Sequence, residues 1–339
     1  LPKVLLPDEQ ALHQHLSALI IQQREARYHE LLLAPRQANK GVIYSQRRAG
    51  SGLIALALEH RALSPAQHQA LGEFRLQQYL ACGWYDSQRV AQQGLQTDPA
   101  LAQLPATTIH VLVGTEDGRL LAYFAMQEAS VQPPNAGSHT LGKAVFLDDP
   151  DRPLFASESE LFGPNLFASL PALRRIPLTE MRELSCLLRN QAIVSPLSVI
   201  AVVEAVYTMT HLVMRRNASI RVLLGGVGLE ARQVTASLGI PILYSPLAPV
   251  IKPSSSAEPD VPWAEGEHAQ GKFWPFVIAL DDLQAHHDHF RQLDRLLSGS
   301  EQELRRALVR FRRQRQALAP QALVPPAGES SLLWTSDPD

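Results

Sequence analysis

Apolar residues recur at three- and four-residue steps over residues 8–33, at Leu12, Leu16, Leu19, Ile20 and Leu31 to Leu33, which predicts an amphipathic helix started by Pro7 and Asp8. After a polar, glycine-containing break at 34–52, the pattern predicts a second helix over 54–63. A third opens at Ser64 and Pro65, the order of an N-cap and first helical residue, and runs to about Ala81. The texture then changes. TTIHVLVG and LLAYFAMQ are β-rich runs joined by TEDGR, an acidic-Gly hairpin turn. Residues 132–164 are rich in Pro, Gly and Asp, giving a loop with at most one strand, at KAVFL. MRELSCLLR then reads as a strand, SPLSVIAVVEAVYTMTHLVMRRNA as a long helix opened by Ser195 and Pro196, and SIRVLLGG as a further strand. GLEARQVTASLG follows as a short helix stopped by Gly239, and IPILYSPLAPVI as another strand. By composition residues 252–272 form a loop, WPFVIAL a last strand, 283–297 and 301–318 two helices, and the segment from Ala319 a frayed tail.

With 339 residues and 45% hydrophobic content the chain can bury a substantial core, as one large domain or two ordinary ones. Its 31 basic and 33 acidic residues nearly cancel, so no bulk field draws it to nucleic acid or to an acidic membrane. Cys82 and Cys186 match no metal or redox spacing, which predicts a reducing, cytoplasmic setting. The longest apolar stretch, Leu197 to Val206, is interrupted by Ser198 and Glu204 and is too short to cross a bilayer, so no transmembrane segment is expected.

The order strand, strand, loop, strand, long helix, strand, short helix, late strands is similar to that of the GNAT acyltransferases. RPLFASESELFGPNLFASLP leading into TEMRELSCLLR resembles the passage of the acyl-homoserine-lactone (autoinducer) synthases, and of the related N-acyl amino acid synthases, that ends in a Glu-x-Ser-Arg motif. Here the motif reads Glu183, Leu184, Ser185 and Cys186. Upstream, FRLQQYLACGWYD sets Arg75, Tyr79, Trp84 and Asp86 at spacings similar to the family's substrate-entrance positions. The resemblance covers about Leu71 to Leu283. It implies an α/β, GNAT-like fold: a central mixed sheet flanked by helices, with a helical extension at 1–66, the acyltransferase domain at 67–297, and a C-terminal helix and tail at 298–339. Two positions depart from the family: Cys186 replaces an arginine, and LLAYFAMQ lacks an arginine usual there. Both departures weaken S-adenosylmethionine as acceptor. NQAIVSP also lacks the glycine-rich cradle that holds a CoA pyrophosphate at a helix start.

What the resemblance implies is N-acylation, with an acyl thioester on an acyl carrier protein or CoA as co-substrate, no other cofactor, and a small-molecule amine as acceptor. Such chemistry needs a group to take the amine proton and donors aimed at an oxyanion. Period-two alternation puts Arg182, Leu184 and Cys186 on one face of MRELSCLLR and Glu183, Ser185 and Leu187 on the other. Glu183 is then the general base, against its bland reading as a solvated strand residue, and Ser185 positions donor or acceptor. Arg75, Tyr79, Trp84 and Asp86 are substrate-binding candidates, with a surface charge and core packing as the plain readings of Arg75 and Trp84. The alternative to an enzyme is a non-catalytic acyl-chain or carrier-binding module on the same fold. GVGLEA, from Gly226 to Ala231, fits a dinucleotide fingerprint, but no acidic residue follows at the required distance. His286, His287 and His289 with Asp282 lack a second ligand cluster and read as a solvated helix rather than a metal site. Arg305, Arg306, Arg310, Arg312, Arg313 and Arg315 share one helix, which is either a solvated face or a dock for an acidic carrier protein.

Overall fold

A computed structural model describes residues 26–32, 41–128, 176–177, 180–216, 220–227, 243–244, 250–251, 272–285 and 287–316. Among these, the strands are β1 (Val42–Arg47), β2 (Leu53–Glu59), β3 (Ile109–Thr115), β4 (Leu120–Glu128), β5 (Met181–Arg189), β6 (Val222–Val227), β7 (Leu243–Tyr244), β8 (Val250–Ile251) and β9 (Lys272–Ala279). The helices are α1 (His29–Leu32), α2 (Pro65–Ala81), α3 (Ser87–Gln92), α4 (Pro196–Arg216), α5 (Leu280–Ala285), α6 (His287–Leu297) and α7 (Glu301–Gln316). The strands join one sheet in the order β1-β2-β3-β4-β5-β6-β9-β7, with β8 pairing β9. Every pairing is antiparallel except β5 with β6. Two parallel neighbours need a long crossover, and the crossover here contains α4. The result is an α/β mixed sheet, with MRELSCLLR between LLAYFAMQ and VLLGGV as the element order predicts.

Helices cover both faces, and alternation along the strands sorts the core into two layers. Leu53, Ala55, Ala57, Val111, Val113, Phe124, Met126 and Leu184 pack with α4 on one face. Leu56, Leu58, Leu112, Tyr123, Ala125 and Leu188 pack with α1 and α2 on the other, where Tyr28 meets the Phe74 ring edge-on at 5.8 Å. Within α4 the apolar stretch Pro196–Met214 is longer than the run Leu197 to Val206 and is long and apolar enough to cross a bilayer by length and composition alone. Most of that segment is buried inside the protein, where it lies against the sheet.

Three expectations for the N-terminal part are corrected. Residues 54–63 are a strand, β2, followed by a single 3-10 turn (His60–Ala62), not a helix. The polar break holds another strand, β1, and the two form a hairpin turned at Gly52 with φ +70. The expected helical extension at 1–66 thus contributes a hairpin to the central sheet through the β2–β3 pairing. The physical reason is burial. LIALAL is covered from both sides, so its sequence shows a continuous apolar run with no period of two, and Leu and Ala also favour helix. The expected helix at 8–33 falls mostly outside the described residues, with His29–Leu32 its helical end. The expected KAVFL strand, the GLEARQVTASLG helix and all but the last residue of the loop expected at 252–272 also lie outside them, and that last residue, Lys272, opens β9.

A buried ion pair fastens this hairpin to the helices. Arg48 donates to Glu204 of α4 through Nε (2.8 Å) and Nη2 (3.0 Å), and through Nη1 to Asp294 of α6 (2.6 Å) and Ser298 (3.1 Å). Gly50 in the same turn lies so close to Gly299 that a β-carbon would stand 2.2 Å from its carbonyl oxygen.

Candidate active site

Helix α2 begins where Ser64 accepts from the Gln67 amide while the Gln67 side chain accepts from the Ser64 amide, with Pro65 at the first helical position. This start sets the phase that turns Arg75, Gln78 and Tyr79 inward. Arg75 is only 2% exposed. Its Nε donates to Asp98 (2.6 Å) and its Nη1 to the Tyr123 hydroxyl (3.0 Å), while its guanidinium lies over the Tyr79 and Tyr123 rings at 5.4 and 5.5 Å. The second carboxylate oxygen of Asp98 accepts from Tyr85 (2.6 Å) and from the Ala100 amide (3.0 Å). Burial opposes the Arg75 charge, but Cys186, Tyr79, Tyr123 and Asp98 more than offset it and hold its pKa well above the usual value. The Tyr85 hydroxyl is pushed well up by burial and by Asp98.

Tyr123 spends its oxygen as acceptor for Arg75, so its proton is free for Nδ1 of His110, 2.8 Å away. His110 then carries its own proton on Nε2 and donates to Nδ1 of His60 at 3.0 Å, a tautomer assignment that satisfies every member. Burial, then His60, Arg75 and His68, hold His110 well below the ordinary imidazole pKa. Burial, then His68 and Arg75, bring His60 down to about 4.

On the central strand, Tyr123 pairs with Leu188 and Ala125 with Ser185, so Phe124 alone faces two residues, Cys186 and Leu187. This is a β-bulge, and Cys186 takes the left-handed conformation it needs, with φ 58. The bulge corrects the expected alternation. Cys186 packs into the layer of Tyr79 and Tyr123 and Leu187 into that of Leu184, so Cys186 joins the Glu183 side of the strand. There the Tyr79 hydroxyl and the Cys186 sulfur are 2.8 Å apart. Glu183 is 6% exposed and stands in register between Gln127 of β4 and Leu224 of β6. Pairing with β6 ends one residue later, at Leu184 and Gly225, although β5 runs on to Arg189 and β6 to Val227. The two strands part where the bulge begins. At that last rung a β-carbon on Gly225 would sit 2.6 Å from the Leu184 carbonyl oxygen and 2.7 Å from the Phe276 ring.

The structure therefore brings Arg75, Tyr79 and Trp84 together, with the Trp84 ring stacked on Tyr79 at 5.4 Å. Arg75 is not a surface charge, and Glu183 is not a solvated strand residue. Ser185 stands on β5 opposite Ala125, two residues beyond Glu183. Asp86 does not join the group: its carboxylate caps α3, accepting from the Gln88 (2.8 Å) and Arg89 (2.9 Å) amides. Asp98, Tyr85, Tyr123, His110 and His60 were not singled out in the sequence. Only Asp98, in the cap-like pair Asp98-Pro99, left a local signal.

Between β5 and the first turn of α4, three backbone amides that could hold a phosphate are spent within the protein. Gln191 donates to Gln78 (2.9 Å), Ala192 to the Asn190 side chain (3.0 Å) and Leu197 to the Ser195 hydroxyl (3.2 Å).

No family model matches the sequence, and no curated protein matches it. Among solved structures, the chain is similar to the AHL synthase LasI, with 12% identity and a TM-score of 0.41 over 68% of this chain and 91% of that one. FeeM, an N-acyl amino acid synthase from uncultured soil microbes, gives 10% identity and a TM-score of 0.36 over 71% and 95% of the two chains. The CoA-dependent acyl-homoserine lactone synthase BjaI, solved with SAM and isopentyl-CoA, gives 12% and 0.34 over 69% and 87%.

Proposed function

We propose that this protein is an N-acyltransferase that moves an acyl group from a thioester donor to a small amine, with Glu183 as general base. The observation that carries the reading is the position of Glu183, a buried carboxylate on the central strand one residue before β5 leaves β6. Beyond Leu184, where β5 no longer pairs with β6, the strand edge offers backbone amides for a developing oxyanion. In the proposed reaction the amine nitrogen attacks the thioester carbonyl carbon. Its proton passes to Glu183 directly or through a water, the C–N bond forms, and the C–S bond breaks to release the thiol. The Arg75–Asp98–Tyr123 group fixes Tyr79 and the bulge, so Arg75 acts as a positioning residue rather than as the clamp for an acceptor's carboxylate.

A carrier-borne donor fits better than CoA, because the amides of residues 191, 192 and 197 are already taken by the protein. Steady-state transfer from a long-chain acyl carrier thioester, with and without Glu183→Gln, tests the reading. Loss of general-base help is worth about 10² to 10⁴ in rate, so the variant is expected to fall into that range with its melting temperature held. A variant within a few-fold of the parent removes Glu183 as the base. A parent that transfers no acyl group leaves the fold as a non-catalytic module.

A further inference from the structure

Tyr123 on β4, His110 on β3 and His60 on the turn after β2 form a hydrogen-bonded row whose direction is fixed at one end only. The inner end is Arg75, which donates and never accepts, so the Tyr123 oxygen must accept from its Nη1 at 3.0 Å. The Tyr123 hydroxyl then donates to Nδ1 of His110 (2.8 Å), and Nε2 of His110 to Nδ1 of His60 (3.0 Å). The outer end is open to change. His60 is half-buried and meets the ring of His68, on α2, edge-on at 5.4 Å.

A proton entering the row has one place to stay. His110 is wholly buried, and the Arg75 cation and the imidazoles of His60 and His68 oppose a charge on it. His60 is faced by His110 from β3 and by His68 and Arg75 from α2. Its chain neighbours Glu59 and Arg61 pair with each other at 2.5 Å, and Arg75 is paired with Asp98. In the neutral row Nδ1 is the bare nitrogen of His60, so it binds the proton and becomes a donor to His110. Nε2 of His110 must then give up its hydrogen and accept, while Nδ1 of His110 takes one and donates to the second lone pair of the Tyr123 oxygen. The count balances: His60 gains one proton, and His110 and Tyr123 keep one each.

We propose that these three residues are a one-proton switch: charging His60 reverses the polarity of the row, changes the tautomer of His110 but not its charge, and turns the Tyr123 hydrogen out of the row into the layer that holds Tyr79 and Cys186. Arg75 keeps its acceptor in both states. The guanidinium over the Tyr79 and Tyr123 rings therefore stays anchored while the hydroxyl dipole beside it reverses. That the reversal alters acyl transfer rests on the reading above.

The test is nitrogen NMR of the full chain labelled with ¹⁵N-histidine, which distinguishes a protonated from a bare ring nitrogen. It is followed from neutral pH down through the His60 titration at about 4. His110 is expected to carry its hydrogen on Nε2 at neutral pH and on Nδ1 below, with the midpoint at which His60 charges. In His60→Gln the side-chain oxygen still accepts from His110 but binds no proton, so His110 is expected to keep its Nε2 hydrogen throughout. A parent in which His110 holds Nε2–H while His60 charges, or gains a second proton, overturns the switch. So does a parent that unfolds before either ring changes, or a tautomer change that survives in His60→Gln. Should that variant not fold, the parent's two midpoints decide alone. Initial rates over the same range read the consequence: kcat of the parent is expected to change about threefold or more at the His60 midpoint, and kcat of the variant to show no step there. Equal profiles overturn the switch's hold on the site. Tautomers are read without turnover, so the two readings fail separately. A parent whose row reverses but which transfers no acyl group keeps the switch and loses the acyl-transfer reading; one that transfers acyl groups with His110 unchanged loses the switch alone.

Discussion

Cys186 occupies a backbone conformation that costs a residue with a β-carbon about 1–2 kcal/mol, and it does so in the middle of the central strand. The bulge it makes possible points its sulfur at Tyr79 and shifts the rest of the strand by one face. A β-branched side chain is a genuine outlier in that region, whereas glycine enters it without strain. Cys186→Val is therefore expected to be less stable than Cys186→Gly by more than about 1 kcal/mol in urea unfolding, although glycine gives up more packing. A valine variant as stable as the parent would mean that the bulge relaxes and the argument from φ is wrong. The same residue shows where sequence reasoning stops. Alternation assigned Cys186 to the wrong face because a one-residue bulge leaves no mark in the order of apolar and polar residues. Glu183 was legible because a lone carboxylate in an apolar strand stands out.

Among the elements, those with a local chemical signal were readable and those defined by tertiary cover were not. Helix α2 announced its start through Ser64 and Pro65, and the β3–β4 hairpin through its acidic-Gly turn, where Gly118 takes φ +83. Strand β2 looked helical because burial on both sides erases the alternation that marks a half-exposed strand. The hairpin it forms with β1 is held to α4 and α6 by Arg48, which is 1% exposed and faces an equally buried Glu204. Removing one member of a buried pair strands the other, at a cost of about 3–5 kcal/mol, while replacing both by apolar residues is often neutral. Arg48→Met should accordingly lower stability by that amount, and Arg48→Met with Glu204→Leu should recover most of it. Equal losses in the single and double variants, read by chemical denaturation, would show that the pair contributes packing rather than charge compensation.

For the whole molecule, the buried imidazoles tie stability to pH. An unfolded histidine titrates near 6.5, whereas His60 titrates at about 4 in the folded chain and His110 is held lower than its ordinary value by burial. Between these values the unfolded chain binds protons that the folded chain refuses, so stability drops as pH falls from about 6.5 toward 4 and is fully present above that window. His60 touches His110 and His68 directly, Arg75 acts on it through charge, and Tyr123 closes the far end of the row. His60→Gln should flatten part of the slope in urea midpoints taken across that range; a slope equal to the parent's would assign the effect to carboxylates. The Arg48 clasp has a further consequence, in time rather than in energy. Its partners lie 156 and 246 residues downstream. At a synthesis rate of about 5–20 residues per second, Arg48 leaves the ribosome about 12–50 s before Asp294 does. For that interval the nascent hairpin carries a cation whose final place is a sealed interior, so the first strands of the sheet are made early and closed last.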